Sequence, residues 1–444
     1  MEAPGPGVET GPNVAGRVAT AEGGDCPALS RQDLRRPGRW GCVRFSPPFP
    51  PAFGMNLLPR LRSLAWIVVL LGAIAFVCRV ASLNLARAEQ LSALAGGDAV
   101  AIDATSPTGY EGGVRKLVLP ELNHESLQWI AQTQEMLARH EWRLRHIAAD
   151  NAPLGRPTFV PSPYRWWLGA VAWADSRLSG RPIGLAVERA ALLAGPLLQI
   201  LLLVGATLYA ARFLGALPAG LFALALALGF PAAGNFLSPL PGDRVLAQTL
   251  AVWAVLPLVT ALVAPRGSAG GRSHFLLAGV AGGLALWLDV GSASLIVLGC
   301  AAGGFLAAGW QRCFAAAATA PAVATLPWRV WAWAGAGTSL LAYVTEYAPA
   351  HLTGWRFDQN HPLYALAWLG AGELLHRGTA WLGEGRRPRG AWAWVALGAA
   401  GVAVGLLPVG LLVTEGDGMF GSIAHTARFS LLPGTVDAAN LFEW

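Results

Sequence analysis

The chain has 444 residues, 54% hydrophobic and only 13% charged, with a formal net charge of +6. A soluble domain carries roughly a quarter charged residues, so this composition, with a mean hydropathy of +0.46, excludes an ordinary soluble domain and indicates an all-α polytopic membrane protein. The basic residues sit in short loops between apolar runs, as the positive-inside bias requires, which argues against nucleic-acid binding.

Residues 1–54 are rich in Gly and Pro, lack periodicity and end in "FSPPFPPAFG". They read as a disordered tail, or as an extension ahead of a true start at Met55, where "MNLLPRLRSLAWIVVLLGAIAFVCRV" opens with arginines before an apolar run. A bilayer crossing takes roughly 20 apolar residues. Nine candidate spans follow: 64–83, 190–210, 213–236, 245–264, 274–289, 292–309, 328–345, 362–376 and 391–413. With the N-terminus inside, Arg60, Arg62, Arg212, Arg266, Arg272, Arg312, Arg377, Arg386, Arg387 and Arg389 fall in or beside inner loops, while the short outer loops hold Arg244 and Arg356.

The long segment 84–189 then lies outside. Within it Asn123 is placed to cap a helix with Glu125 in its first turn. Leu127, Ile130, Leu137 and Leu144 recur at near-helical spacing, which predicts an amphipathic helix lying on the outer membrane surface. "DNAPLGRP" breaks it, and "SPYRWWLGAVAW" supplies Tyr164, Trp166, Trp167 and Trp173, aromatics suited to the interface. The acids Asp243 in "SPLPGDR", Asp289 and Glu346 in "YVTEYAP" fall on the same outer side. Carboxylates converging there hold a hard divalent cation such as Mg²⁺ or Mn²⁺, which neutralises a phosphate leaving group. The five cysteines Cys26, Cys42, Cys78, Cys300 and Cys313 form no C-x-x-C or Cys/His cluster, so neither zinc nor a disulfide framework is indicated. Lys116 is the single lysine, and the Ala, Gly and Arg content suggests a GC-rich bacterial gene.

A long first outer loop with an acid, a helix ending in "EML", then "EWRLR" and "DNAPLGRP", resembles the first loop of GT-C fold membrane glycosyltransferases. It is most similar to bacterial relatives of the oligosaccharyltransferase catalytic subunit, over roughly residues 60–440 in topology. Glu125, eleven residues before Met136, takes the position where that family usually has Asp; Asp243, followed by Arg244, stands where the family has an Asp-x-Asp pair. The resemblance implies inverting glycosyl transfer from a polyprenyl-phosphate or polyprenyl-diphosphate sugar at the outer face of a bacterial inner membrane, with the N-terminus cytoplasmic. Glu125 would orient or deprotonate the acceptor. Glu125, Asp243 and Glu346 would hold the cation. Arg143, Arg145, Arg156 and Arg244 would meet lipid headgroups or the donor phosphate.

The family's Trp-Trp-Asp-Tyr-Gly acceptor motif is absent: Trp166-Trp167 is followed by Leu168. Plainer readings stand beside each assignment. Glu125 complements a helix N-terminus, Asp243 beside Pro-Gly belongs to a turn, the loop arginines pair with Glu135, Glu141 and Asp150, and Asp289 closes a helix. The rival functions are a transporter or flippase of a lipid-linked sugar, which would favour ionisable groups near mid-membrane, and an inactive truncated membrane protein, since the chain stops at "NLFEW".

Overall fold

The computed structural model describes residues 57–409, apart from 96–99, 120–123, 149–152, 264–270, 315–325, 350–351, 353–356, 358 and 385–389; the side chains of 57–63, 124–125, 263, 311–312, 314 and 383–384 also lie outside the description. The readings of 1–54, Asn123, Asp150 and the chain beyond 409 therefore fall outside the described residues.

The described chain is almost wholly helical. Helix α1 (Leu57–Ala95) leads into a long connecting segment, which contains α2 (His124–Ala138), a two-stranded hairpin of β1 (His146–Ile147) and β2 (Arg156–Pro157), and α3 (Pro163–Ser179). Then come α4 (Ile183–Phe213), α5 (Ala216–Leu228), α6 (Ala232–Leu237), α7 (Arg244–Val263), α8 (Gly271–Leu288), α9 (Val290–Phe314), α10 (Trp328–Tyr347), α11 (Pro362–Glu384) and α12 (Ala391–Val409). A helix underlies each of the nine expected spans, the third being split into α5 and α6 around Pro231, which has no backbone N–H to continue a helix. Among the described residues five helical stretches are long and apolar enough to cross a membrane: Leu64–Ala95, Ile183–Phe213, Arg244–Leu262, Val290–Trp310 and Ala391–Val409. α5 is shorter, and α8, α10 and α11 are less apolar.

About half of each of the α4 and α7 spans is buried (56% and 50%), against 6% for α12, whose Trp392, Trp394 and Leu406 are exposed. α8 and α10 pack backbone to backbone. A Cβ on Gly279 would stand 2.5 Å from the Trp331 carbonyl oxygen, and one on Gly283 2.5 Å from that of Gly335. Glycine permits this approach, the usual way helices associate where lipid removes the hydrophobic drive.

The connecting segment departs from expectation in the length and burial of its first helix. α2 stops at Ala138 rather than running on to Leu144. His140 takes φ +56°, its N–H donates to the Leu137 carbonyl and the Glu141 N–H to that of Met136, a Schellman closure with histidine in the usual glycine position. Nor is α2 buried only along the leucine stripe. It packs against α3 and α4, with Trp129, Ile130, Gln132, Thr133, Gln134 and Met136 all buried, while Leu127 of the predicted stripe is 37% exposed. The polar positions are buried because distant partners satisfy them: Gln134 donates to the Gly184 carbonyl and accepts from Arg115, both at 2.9 Å.

Candidate functional site

The first acids to weigh sit around the N-terminal end of α3. Tyr164 is fully buried; its hydroxyl accepts from the Gly242 N–H at 2.9 Å, and its ring packs edge-on against Trp129, centroids 5.0 Å apart. This fixes the turn carrying Asp243 against α2 and α3. The Asp243 carbonyl in turn accepts from the Leu246 and Ala247 N–H groups and starts α7.

Between these elements lies a cavity of about 230 Å³. Gln128, Trp129 and Gln132 come from α2, Asp243 from the turn before α7, Trp287 from the end of α8, and Gln359 from the segment before α11. Val160, Pro161, Leu288 and Val290 supply the apolar remainder. The cavity thus offers two indoles, three amides and one carboxylate, convergent polar groups set among apolar ones. Glu125 lies in the first turn of α2, three residues before Gln128, a rise of about 4.5 Å along the helix.

Arg165 stands behind this wall, 0% exposed. Its Nη1 donates to Gln132 Oε1 at 2.7 Å and its Nη2 to the Val160 carbonyl at 2.6 Å, and the guanidinium sits 5.7 Å from the Trp129 ring centre. With its oxygen engaged, the Gln132 amide has its NH₂ left to donate. The Arg165 Nε has no hydrogen-bond partner among the described residues. Burial pulls the Arg165 pKa down to about 10, opposed by the Glu346 carboxylate, so the group is cationic at neutral pH. A cavity backed by a buried cation favours a ligand carrying negative charge.

Glu346 is not open to a ligand. It is 6% exposed; its Oε1 accepts from Ser162 Oγ at 2.8 Å, and its Oε2 from the Ser162 N–H at 3.1 Å and from Trp287 Nε1 at 3.0 Å. The carboxylate joins the C-terminus of α10 to the start of α3 and the end of α8. Arg143 and Arg145 serve the same joint. Arg143 donates to the carbonyls of Thr345, Glu346 (2.7 Å) and Ala348 (2.6 Å), and Arg145 to Ala348. They cap the last carbonyls of α10, an assignment different from both phosphate contact and pairing with nearby acids. Burial lowers the Arg143 pKa, with Arg145 adding to the effect. Of the predicted acid partners, Glu135 does pair with an arginine, Arg139, one turn on.

Arg156 and Arg244 are exposed, on β2 and at the start of α7, and neither lines the cavity. Asp289 accepts from the Gly291 N–H at 2.9 Å and the Ser292 N–H at 3.3 Å, a helix cap for α9. Among the described residues no three His, Cys, Asp or Glu side chains gather into a metal site. The side chain of Glu125 lies outside that set, and Glu346 is buried and engaged by three donors, so the described acids do not by themselves fit a divalent cation.

No family model, curated protein or solved structure matches the chain. Its function therefore rests on its own geometry. Sequence reading placed Asp243 at the cavity but passed over Gln128, Gln132, Gln359, Trp287 and Arg165. One signal was present for the last: "YRWW" puts a charge among interfacial aromatics, where an arginine needs partners.

Proposed function

We propose that the chain is a membrane glycosyltransferase of GT-C-like architecture with nine spans, which moves a sugar from a polyprenyl-phosphate or -diphosphate donor to an acceptor at the outer face of a bacterial inner membrane. The observation that carries this reading is the cavity walled by Gln128, Gln132, Gln359, Asp243, Trp129 and Trp287. Indoles suit the apolar face of a pyranose ring, amides and a carboxylate suit its hydroxyls, and all six residues fall on the outer side under the arginine topology.

In this reading a carboxylate, Glu125 or Asp243, takes the proton from the acceptor as it attacks the anomeric carbon. The sugar–phosphate bond breaks, and the departing phosphate keeps the electron pair. The buried charge of Arg165, relayed through the Gln132 NH₂, favours negative charge gathering there. No step passes through a metal.

The test uses the full chain in proteoliposomes with a pool of labelled polyprenyl-linked sugars. Glu125→Gln should lower transfer by about 10²-fold or more, with thermal stability within the effect of a lost helix-end charge, about 0.3–1 kcal/mol. Gln132→Leu should lower transfer as well. Full transfer in both variants removes the cavity from the reaction, and movement of intact lipid-linked sugar across the bilayer without bond cleavage replaces it with transport.

A further inference from the structure

A second cavity, of about 370 Å³, lies between the outward part of α1 and the first turns of α4. Helix α1 has 39 residues and so runs about 58 Å, nearly twice the roughly 30 Å hydrocarbon core. Under the arginine topology its C-terminal portion reaches the outer headgroup region, where α4 begins. Glu188 lines the cavity, is only 6% exposed, and its Oε1 has no hydrogen-bond partner among the described residues. The Lys116 and Leu117 backbone N–H groups donate to this carboxylate. Lys116 and Arg181 also line the cavity, with Lys116 Nζ 5.5 Å from the Tyr110 ring centre. Arg189, a further lining residue, is paired with Asp175 at 3.6 Å.

A buried carboxylate with an unanswered oxygen calls for an N–H donor carrying positive charge. Glu89 lines the cavity as well, so Lys116 and Arg181 face two carboxylates, a mixed set that suits neither a bare metal ion nor a polyamine. A plain anionic headgroup would satisfy Lys116 and Arg181 but set a negative charge against Glu188. The arrangement matches one molecule bearing both an ammonium and a phosphate. Leu85 and Leu192 line the same cavity, ten residues in from the end of α1 and nine in from the start of α4, on the membrane side of the charges.

We propose that this cavity binds the phosphoethanolamine headgroup of an outer-leaflet phospholipid, with the ammonium on Glu188, the phosphate on Lys116 and Arg181, and the acyl chains descending past Leu85 and Leu192. The proposal rests on the membrane topology and not on glycosyl transfer. Phosphatidylcholine carries the same charges but has no ammonium N–H to donate, and phosphatidylglycerol has no cation at all.

The test is native mass spectrometry of lipid retained by the full chain, reconstituted in nanodiscs of equimolar phosphatidylethanolamine, phosphatidylcholine and phosphatidylglycerol. The parent should retain phosphatidylethanolamine over either competitor by about tenfold, the scale of one hydrogen bond to a charged group. Glu188→Gln should erase that preference, and Lys116→Gln should weaken retention of all three lipids. Equal retention of phosphatidylethanolamine and phosphatidylcholine by the parent overturns the proposal, as does an unchanged preference in Glu188→Gln. Should that variant fail to fold, the competition in the parent together with Lys116→Gln decides the matter.

Discussion

Replacing Glu346 separates a structural clamp from a metal ligand. Ser162 Oγ donates to Oε1, while the Ser162 N–H and Trp287 Nε1 both donate to Oε2. Glutamine can put its carbonyl oxygen where Oε2 stood and keep both N–H donors. Its NH₂ then faces the Ser162 hydroxyl, which rotates to accept. The shape survives and the charge goes. Three bonds of about 1.5–3 kcal/mol become bonds of about 0.5–1.5 kcal/mol. After the smaller desolvation penalty of the amide, Glu346→Gln should cost about 2–3 kcal/mol. Glu346→Ala leaves three buried donors with no acceptor, at about 1–3 kcal/mol each, and should cost at least about 4 kcal/mol. Equilibrium unfolding in mixed micelles, followed by tryptophan fluorescence, reads these differences, and adding Ser162→Ala closes a double-mutant cycle that should show strong coupling. All of this should hold in the presence of chelator. If Glu346→Gln is as stable as the parent, within about 0.5 kcal/mol, and instead loses activity that added Mn²⁺ restores, the clamp is wrong and the carboxylate is a ligand.

Arg143→Met strips donors from three carbonyls at the end of α10 and should cost about 2–4 kcal/mol in the same unfolding assay; an unchanged variant would refute the capping role. Gly155 holds φ +70°, and a Cβ there would stand 2.0 Å from the His146 ring, so Gly155→Ala should cost about 1–3 kcal/mol. Adding His146→Ala should recover the steric part and leave about 1 kcal/mol for the backbone; no recovery would mean that the hairpin does not bring the two residues together. In a cysteine-free background, a cysteine at position 150 should be labelled from outside and one at 387 protected, and the opposite pattern would invert the topology and with it both cavities' placement.

Hydropathy and arginine placement made the helices of the apolar segments legible, because each such segment carries its own signal. The ends of α3 are equally legible, with Pro163 at its first turn and Gly180 in the left-handed region at its close. Contacts across long separations left no local trace. The acceptors of Arg143 are backbone carbonyls some 200 positions away, and carbonyls look alike in every sequence. The burial of Gln132 and Gln134 was hidden for the same reason: their partners Arg165 and Gly184 belong to other helices. A stripe of leucines shows which side of a helix is oily. It does not show whether lipid or protein covers that side.

The clamp between the α2–α3 segment and α10 also sets an order of events. Ser162 waits for a carboxylate 184 residues further along the chain, and Arg143 for carbonyls more than 200 residues away. At about 5–20 residues per second of synthesis, Glu346 appears on the order of 10–40 s after Ser162. Throughout that interval Arg165 lacks the opposing charge of Glu346, and the α2–α3 layer has no α10 terminus to close on. The joint between α3, α8 and α10 is therefore completed late, only once α10 has been made.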